Sequence, residues 1–107
     1  MINEYGRCLS KQEAKDLRKN GQLNDSDNSL IPIFNAPEYI QKKLNGMKRD
    51  QLKNYFRRIG VRQADTVIFF GMEPNLIEVG PVPQKNGLNE YKVPSGTPVS
   101  TLYQIKL

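Results

Sequence analysis

From Ala64 onward the chain reads as short apolar or alternating runs, DTVIFF, NLIEV, EYKV and STLYQIKL, cut by GMEP, GPVPQKNG and PSGTP. Runs of this length, rich in β-branched and aromatic residues and bounded by glycine and proline, are strand signals. None of the separators has room for a crossover helix, so these segments are expected to pair as an antiparallel meander.

The first half has a different period. In LSKQEAKDLRKNGQL, Ser10 and Glu13 have the spacing of a capping box, Leu9 and Ala14 that of a hydrophobic staple, and Asn20-Gly21 ends the helix. NDSDNS reads as a polar loop, and SLIPIF, interrupted by Pro32, as an edge strand or extended segment. A second helix is expected from Asn35, with Pro37 in its first turn, Ile40 and Leu44 inward and Gly46 at its end. A third, over 48–59, puts Leu52, Tyr55, Phe56 and Ile59 on one stripe before Gly60. The expected fold is α+β: N-terminal helices, then a roughly four-stranded antiparallel sheet, in one domain over 1–107.

Composition narrows the chemistry. The 107 residues include no histidine and one cysteine, Cys8, so neither an internal disulfide, a zinc set nor Cys-His catalysis is expected; no cofactor is expected either. No apolar run approaches the ~18 residues of a membrane span, and MINEYGRCLS lacks the regions of a signal peptide. There is no P-loop, no dinucleotide-binding glycine motif in a strand-turn-helix context and no G-x-S-x-G.

The net charge is +5, and it is concentrated: between Lys42 and Arg62 eight basic residues face one acid, Asp50, leaving the rest of the chain net negative. Arg49, Lys53 and Arg57 fall in an i, i+4, i+8 row beside the buried stripe, and Arg58 and Arg62 extend it, a geometry able to track phosphates. The alternative is a solvated face with snorkelling side chains. Tyr5, Tyr39, Tyr91 and Tyr103 are either stacking platforms for bases or core residues.

RNA cleavage remains chemically open, since the substrate carries its own nucleophile and the protein need only orient it, move protons and stabilise charge. Glu90 and Lys92 share one face of EYKV, and Thr101 and Tyr103 one face of STLYQI. If those faces meet they form an acid, base and hydroxyl cluster; otherwise each strand exposes its polar side to water. Arg7, just before the capped helix, is a candidate phosphate ligand. The candidate catalytic set is Arg7, Glu90, Lys92, Thr101 and Tyr103, with Arg49, Lys53, Arg57, Arg58 and Arg62 holding RNA.

In order, YGRCLSKQEAKDLRKNGQL, SLIPIFNAPEYI, ADTVIFF and NEYKVPSGTPVSTLYQI resemble the layout of C-terminal toxin domains of bacterial polymorphic and contact-dependent growth inhibition systems. The resemblance implies the barnase/EndoU/colicin/RelE-like group. Its members are metal-independent ribonucleases often directed at transfer RNA, carried on a larger secreted or cell-surface protein and acting in the target-cell cytoplasm. It also implies a cognate immunity protein, expected to be acidic against this basic chain. The catalytic histidine of barnase-like and EndoU-like members has no counterpart here. The YGR opening is also similar to ADP-ribosyltransferase-type toxins, which bind NAD through an early arginine, a serine-bearing middle strand and a late glutamate; Arg7, Ser29 and Glu90 are the matching positions. A non-enzymatic module that binds RNA or an acidic protein is the third possibility.

Overall fold

In the computed structural model, which describes residues 2–25, 29–57 and 64–107, the polypeptide begins with a strand. β1 (Asn3–Leu9) leads into α1 (Lys11–Asn20), β2 (Leu30–Asn35), α2 (Glu38–Asn45), α3 (Arg49–Arg57), β3 (Thr66–Met72), β4 (Val79–Pro83), β5 (Asn89–Pro94) and β6 (Ser100–Lys106). The six strands form one antiparallel sheet in the order β4-β5-β2-β1-β3-β6. Strands thus outnumber helices and alternate with them, which corrects the expectation of N-terminal helices followed by about four strands.

Three sequence features account for that correction. β1 hides because NEYGRCL has only Tyr5 and Leu9 as large apolar residues, both buried beneath α1, while on the other face Gly6 lies under the Phe34 ring. A Cβ at Gly6 would sit 2.6 Å from Phe34 Cε2. Overpacking of this kind costs about 1–3 kcal/mol, so Gly6→Ala is expected to lower Tm by roughly 5–20 °C for a domain of this size, measured by thermal unfolding.

SLIPIF is not an edge: β2 lies between β5 and β1. Pro32 is tolerated there because its carbonyl, and with it the position of its missing N–H, points toward β1, where the β1–β2 pairing extends only over Tyr5↔Asn35 and Gly6↔Phe34.

The expected meander survives only as the β4–β5 hairpin, since β3 pairs with β1 and β6 and not with β4. β4 and β5 are a hairpin, but β5 pairs with β2 and β6 with β3, on opposite sides of the β1–β2 pair. The connection from Pro94 to Ser100 contains no helix; it turns at Pro94–Thr97, where Thr97 N–H donates to Pro94 O at 3.2 Å. The connection is tied down on the way, with Leu23 N–H donating to Thr97 O at 2.9 Å and Val99 N–H to Gly21 O at 3.0 Å. NLIEV, expected as a strand, begins instead in a 3-10 turn, Pro74–Leu76, and only its Val79 enters β4, which runs on into the expected separator as far as Pro83.

The helices form where their caps stand. Ser10 Oγ accepts from Glu13 N–H at 3.2 Å, Ser10 N–H donates to Glu13 Oε1 at 3.5 Å, and Gly21 closes α1 at φ 68°. α1 covers one face of the sheet through Ala14 and Leu17, against Tyr5, Leu9, Ile31, Ile33, Ile68 and Phe70. α2 and α3 cover the other with Ile40, Leu44, Leu52 and Phe56 against Phe34, Val67, Phe69 and Leu88. β3, covered on both sides, is buried along its whole length. Among the described residues no helix is long and apolar enough to cross a membrane.

Candidate active site

Where β1 and β2 part, the sheet splits and a cleft of about 180 Å³ opens on the side of α2 and α3, lined by Arg7, Cys8, Pro32, Ile33, Phe34, Gln84, Leu88 and Glu90. The split follows from the sequence: once Pro32 has no N–H to donate, the ladder cannot continue, and Arg7 fills the vacated bonding position. Its Nη1 donates to Pro32 O at 2.7 Å, and its Nη2 lies 3.9 Å from Glu13 Oε2.

The Arg7 side chain retains 14% of its accessible surface. Burial pulls its pKa below the ordinary value, against the opposing pull of the Glu13, Asp25 and Cys8 groups, and an arginine starts so high that it remains charged at neutral pH. A guanidinium has five donors, and one hydrogen bond and one long ion pair leave capacity for an anion at the cleft. Glu90, half-buried on β5 opposite Phe34, supplies a carboxylate to the same cleft.

Cys8 is beside both, but burial pushes its thiol up to about 12, more than the Arg7 charge can pull it down. At neutral pH it is a thiol, a weak nucleophile. Alkylation by iodoacetamide at pH 8 is therefore expected to be slow until the protein is denatured. The sign for stability follows from the raised value: the contribution of the protonated thiol is complete below about pH 9 and is lost as pH rises toward about 12. Urea titrations of Cys8→Ala and the parent protein across that range check it: the parent is expected to lose more.

The sequence-predicted catalytic residues do not all meet. Glu90, Phe34, Gly6, Phe69 and Tyr103 form one row across five strands, so Glu90 and Tyr103 do share a face. They are four strand spacings apart, about 19 Å. Lys92 is on the face of Glu90, one pleat away at about 7 Å and opposite Pro32, outside the lining of the cleft. An irregularity between Phe69 and Phe70 sets Thr101 opposite Phe70, out of the row of Tyr103.

The Tyr103 hydroxyl is committed elsewhere: it donates to Gln41 Oε1 at 2.7 Å and accepts from Asn45 Nδ2 at 3.0 Å, with its ring 4.8 Å from that of Phe69. Gln41 Nε2 in turn donates to Glu4 Oε2 and to Ala36 O, so this set fastens α2 to the sheet. Of the other tyrosines, Tyr5 is core, Tyr91 packs edge-on against it at 6.0 Å, and Tyr39 is exposed. Thus Arg7 and Glu90 line one cleft, Arg7 held by Pro32 O and Glu13, and Lys92, Thr101 and Tyr103 do not line it.

Neither a family model, nor a curated protein, nor a solved structure matches the chain. The function must therefore be argued from the geometry and from the motif likeness of the opening and ending segments.

Among the predicted RNA ligands, Arg49 and Lys53 are exposed on α3, Arg57 is the last residue of that helix, and Arg58 and Arg62 lie outside the described residues. Arg49 lines a second depression with Lys11, Arg18 and Lys106. Sequence reasoning missed these three partners, although Lys11 and Arg18, seven apart, lie on one face of α1. It also missed Gln84 and Phe34 in the cleft. No local signal carries those two, since strand pairing alone brings them to Arg7.

Proposed function

We propose that the cleft binds a nicotinamide dinucleotide and breaks its N-glycosidic bond, transferring ADP-ribose to an acceptor, as in the ADP-ribosyltransferase-type toxins that the YGR opening resembles. The observation that carries this reading is the meeting of Arg7 from β1 and Glu90 from β5 in one cleft with apolar walls. Arg7 would hold a phosphate oxygen, Phe34 and Leu88 would flank a flat ring, and Glu90 would stand beside the ribose.

The number of proton carriers favours this over RNA cleavage. RNA cleavage requires a group that removes the 2′-hydroxyl proton and another that protonates the leaving oxygen. Among the described residues Glu90 is the carboxylate that lines the cleft, and Tyr103 is four strands away with its hydroxyl bonded to Gln41 and Asn45. Nicotinamide needs no proton to leave, because its ring nitrogen is already cationic and departs neutral with the bonding pair. What the reaction does need is a carboxylate near the developing oxocarbenium ion, with hydrogen bonding to the sugar hydroxyl that strengthens in the transition state. A chain without histidine is suited to that. Ser29, the middle position of the likeness, precedes β2 and does not line the cleft, so the reading rests on Arg7 and Glu90.

The metal-independent ribonuclease, acting above all on transfer RNA, is the second reading. It is favoured by the basic depression around Arg49 and by Lys92, about 7 Å from Glu90, as a second proton carrier. Either activity suits a toxin domain delivered on a larger chain and neutralised by an acidic immunity protein. Incubating the protein with NAD and total RNA in the presence of a chelator separates them. Free nicotinamide with intact RNA supports the transferase; RNA fragments with untouched NAD support the nuclease and overturn the first reading.

A further inference from the structure

A second concave site lies where β1 ends, β3 begins and β6 ends. This depression of about 320 Å³ gathers Lys11 and Arg18 from α1, Arg49 from α3 and Lys106 from β6, with Asp65 among them. Sheet register brings them together, with Leu9 opposite Thr66 and Thr66 opposite Lys106. Arg18 is held in place by donating from Nη1 to Gln104 Oε1 at 2.8 Å. None of the four cations makes an ion pair among the described residues. Gathering unpaired like charges costs free energy that a bound polyanion would offset.

The shape of this charge limits the ligand. Lys11 and Arg18 are seven residues apart on α1, about 10 Å along the axis, which is longer than a single phosphate and suits a chain of them. Among the described residues its apolar lining is Ala14 and Leu107, whereas a protein interface of this size would have an aromatic or aliphatic centre. The depression and the cleft share β1: Thr66 pairs with Leu9, two residues beyond Arg7, the cleft opening toward α2 and α3 and the depression mainly toward α1.

We infer that this depression grips the phosphodiester backbone of a nucleic acid and thereby makes nucleic acid the acceptor of the transferred ADP-ribose, an inference that rests on the transferase reading. The step balances without a redox partner. The bond from ribose C1′ to the nicotinamide nitrogen breaks and nicotinamide keeps the pair. An oxygen or nitrogen of the nucleic acid bonds to C1′, and its proton passes to Glu90 and then to solvent.

The test uses the whole chain, NAD labelled in its adenylate phosphate, and single-stranded 12-mers of RNA and of DNA with the same sequence. Labelling of an oligonucleotide is expected, and which of the two is labelled identifies the backbone. Four phosphate contacts on a single strand predict that affinity, measured by anisotropy, falls about 50-fold between 50 and 200 mM salt. In Lys11→Glu/Lys106→Glu, both exposed positions, label transferred per NAD consumed is expected to fall at least about tenfold, with circular dichroism unchanged. NAD consumption with label only on protein, including an added acidic protein, overturns this inference and leaves the transferase intact. No NAD consumption overturns both.

Discussion

Glu90→Gln is expected to slow nicotinamide release by about a thousandfold while leaving Tm unchanged. The substitution keeps the shape of the side chain and, on the proposed transferase reading, removes the negative charge beside the developing oxocarbenium ion, an interaction that strengthens in the transition state. Loss of one preorganised electrostatic contact of that kind typically costs 10²–10³ in kcat, or about 3–4 kcal/mol. KM for NAD is expected to change little. Arg7→Lys should do the reverse, raising KM more than it lowers kcat, because a point charge replaces a fork that can hold Pro32 O and a phosphate together. Full activity in Glu90→Gln, measured as nicotinamide released under saturating NAD, would remove Glu90 from the chemistry and end the transferase reading.

Phe69→Ala is expected to unfold the protein or nearly so. Phe69 is fully buried on β3, one strand in from the β6 edge, with its ring 6.3 Å from that of Phe34 and 4.8 Å from that of Tyr103. Truncating a buried phenylalanine costs about 3–5 kcal/mol, much of the ~5–15 kcal/mol that stabilises a domain of this kind. The loss has two visible consequences, since Phe69 supports both the Phe34 wall of the cleft and the Tyr103 tie to α2. Urea unfolding monitored by circular dichroism measures it, and a change under 1 kcal/mol would mean that the row across the sheet is not packed as described.

Local patterns marked most elements. The capping box of Ser10 and Glu13, the αL position of Gly21, the stripe of Leu52 and Phe56 and the β-branched run of β3 each act within a few residues, and each formed where its residues stand. β1 escaped because Gly6 and Arg7 break its alternation, and both are explained only by partners from elsewhere: the Phe34 ring over Gly6, and the Pro32 carbonyl accepting from Arg7. Pro32 pointed to an edge strand because a proline normally interrupts a ladder. In this fold the interruption is internal and opens the cleft.

By itself, then, the sequence marked the helices, the strand segments of β2, β3, β5 and β6, the surplus of positive charge and the absence of histidine, because caps, periodicity and composition act within one segment; β1 and β4 were not legible in it. Only the tertiary structure decided the strand order, and with it which polar residues meet. Glu90 and Tyr103 share a face of the sheet, yet pairing β5 with β2 and β6 with β3 sets them four strands apart and puts Glu90 on the cleft that Arg7 also lines. Strand pairing is chosen by burial summed over the two faces of a whole sheet, a quantity to which no single segment contributes enough to be read alone.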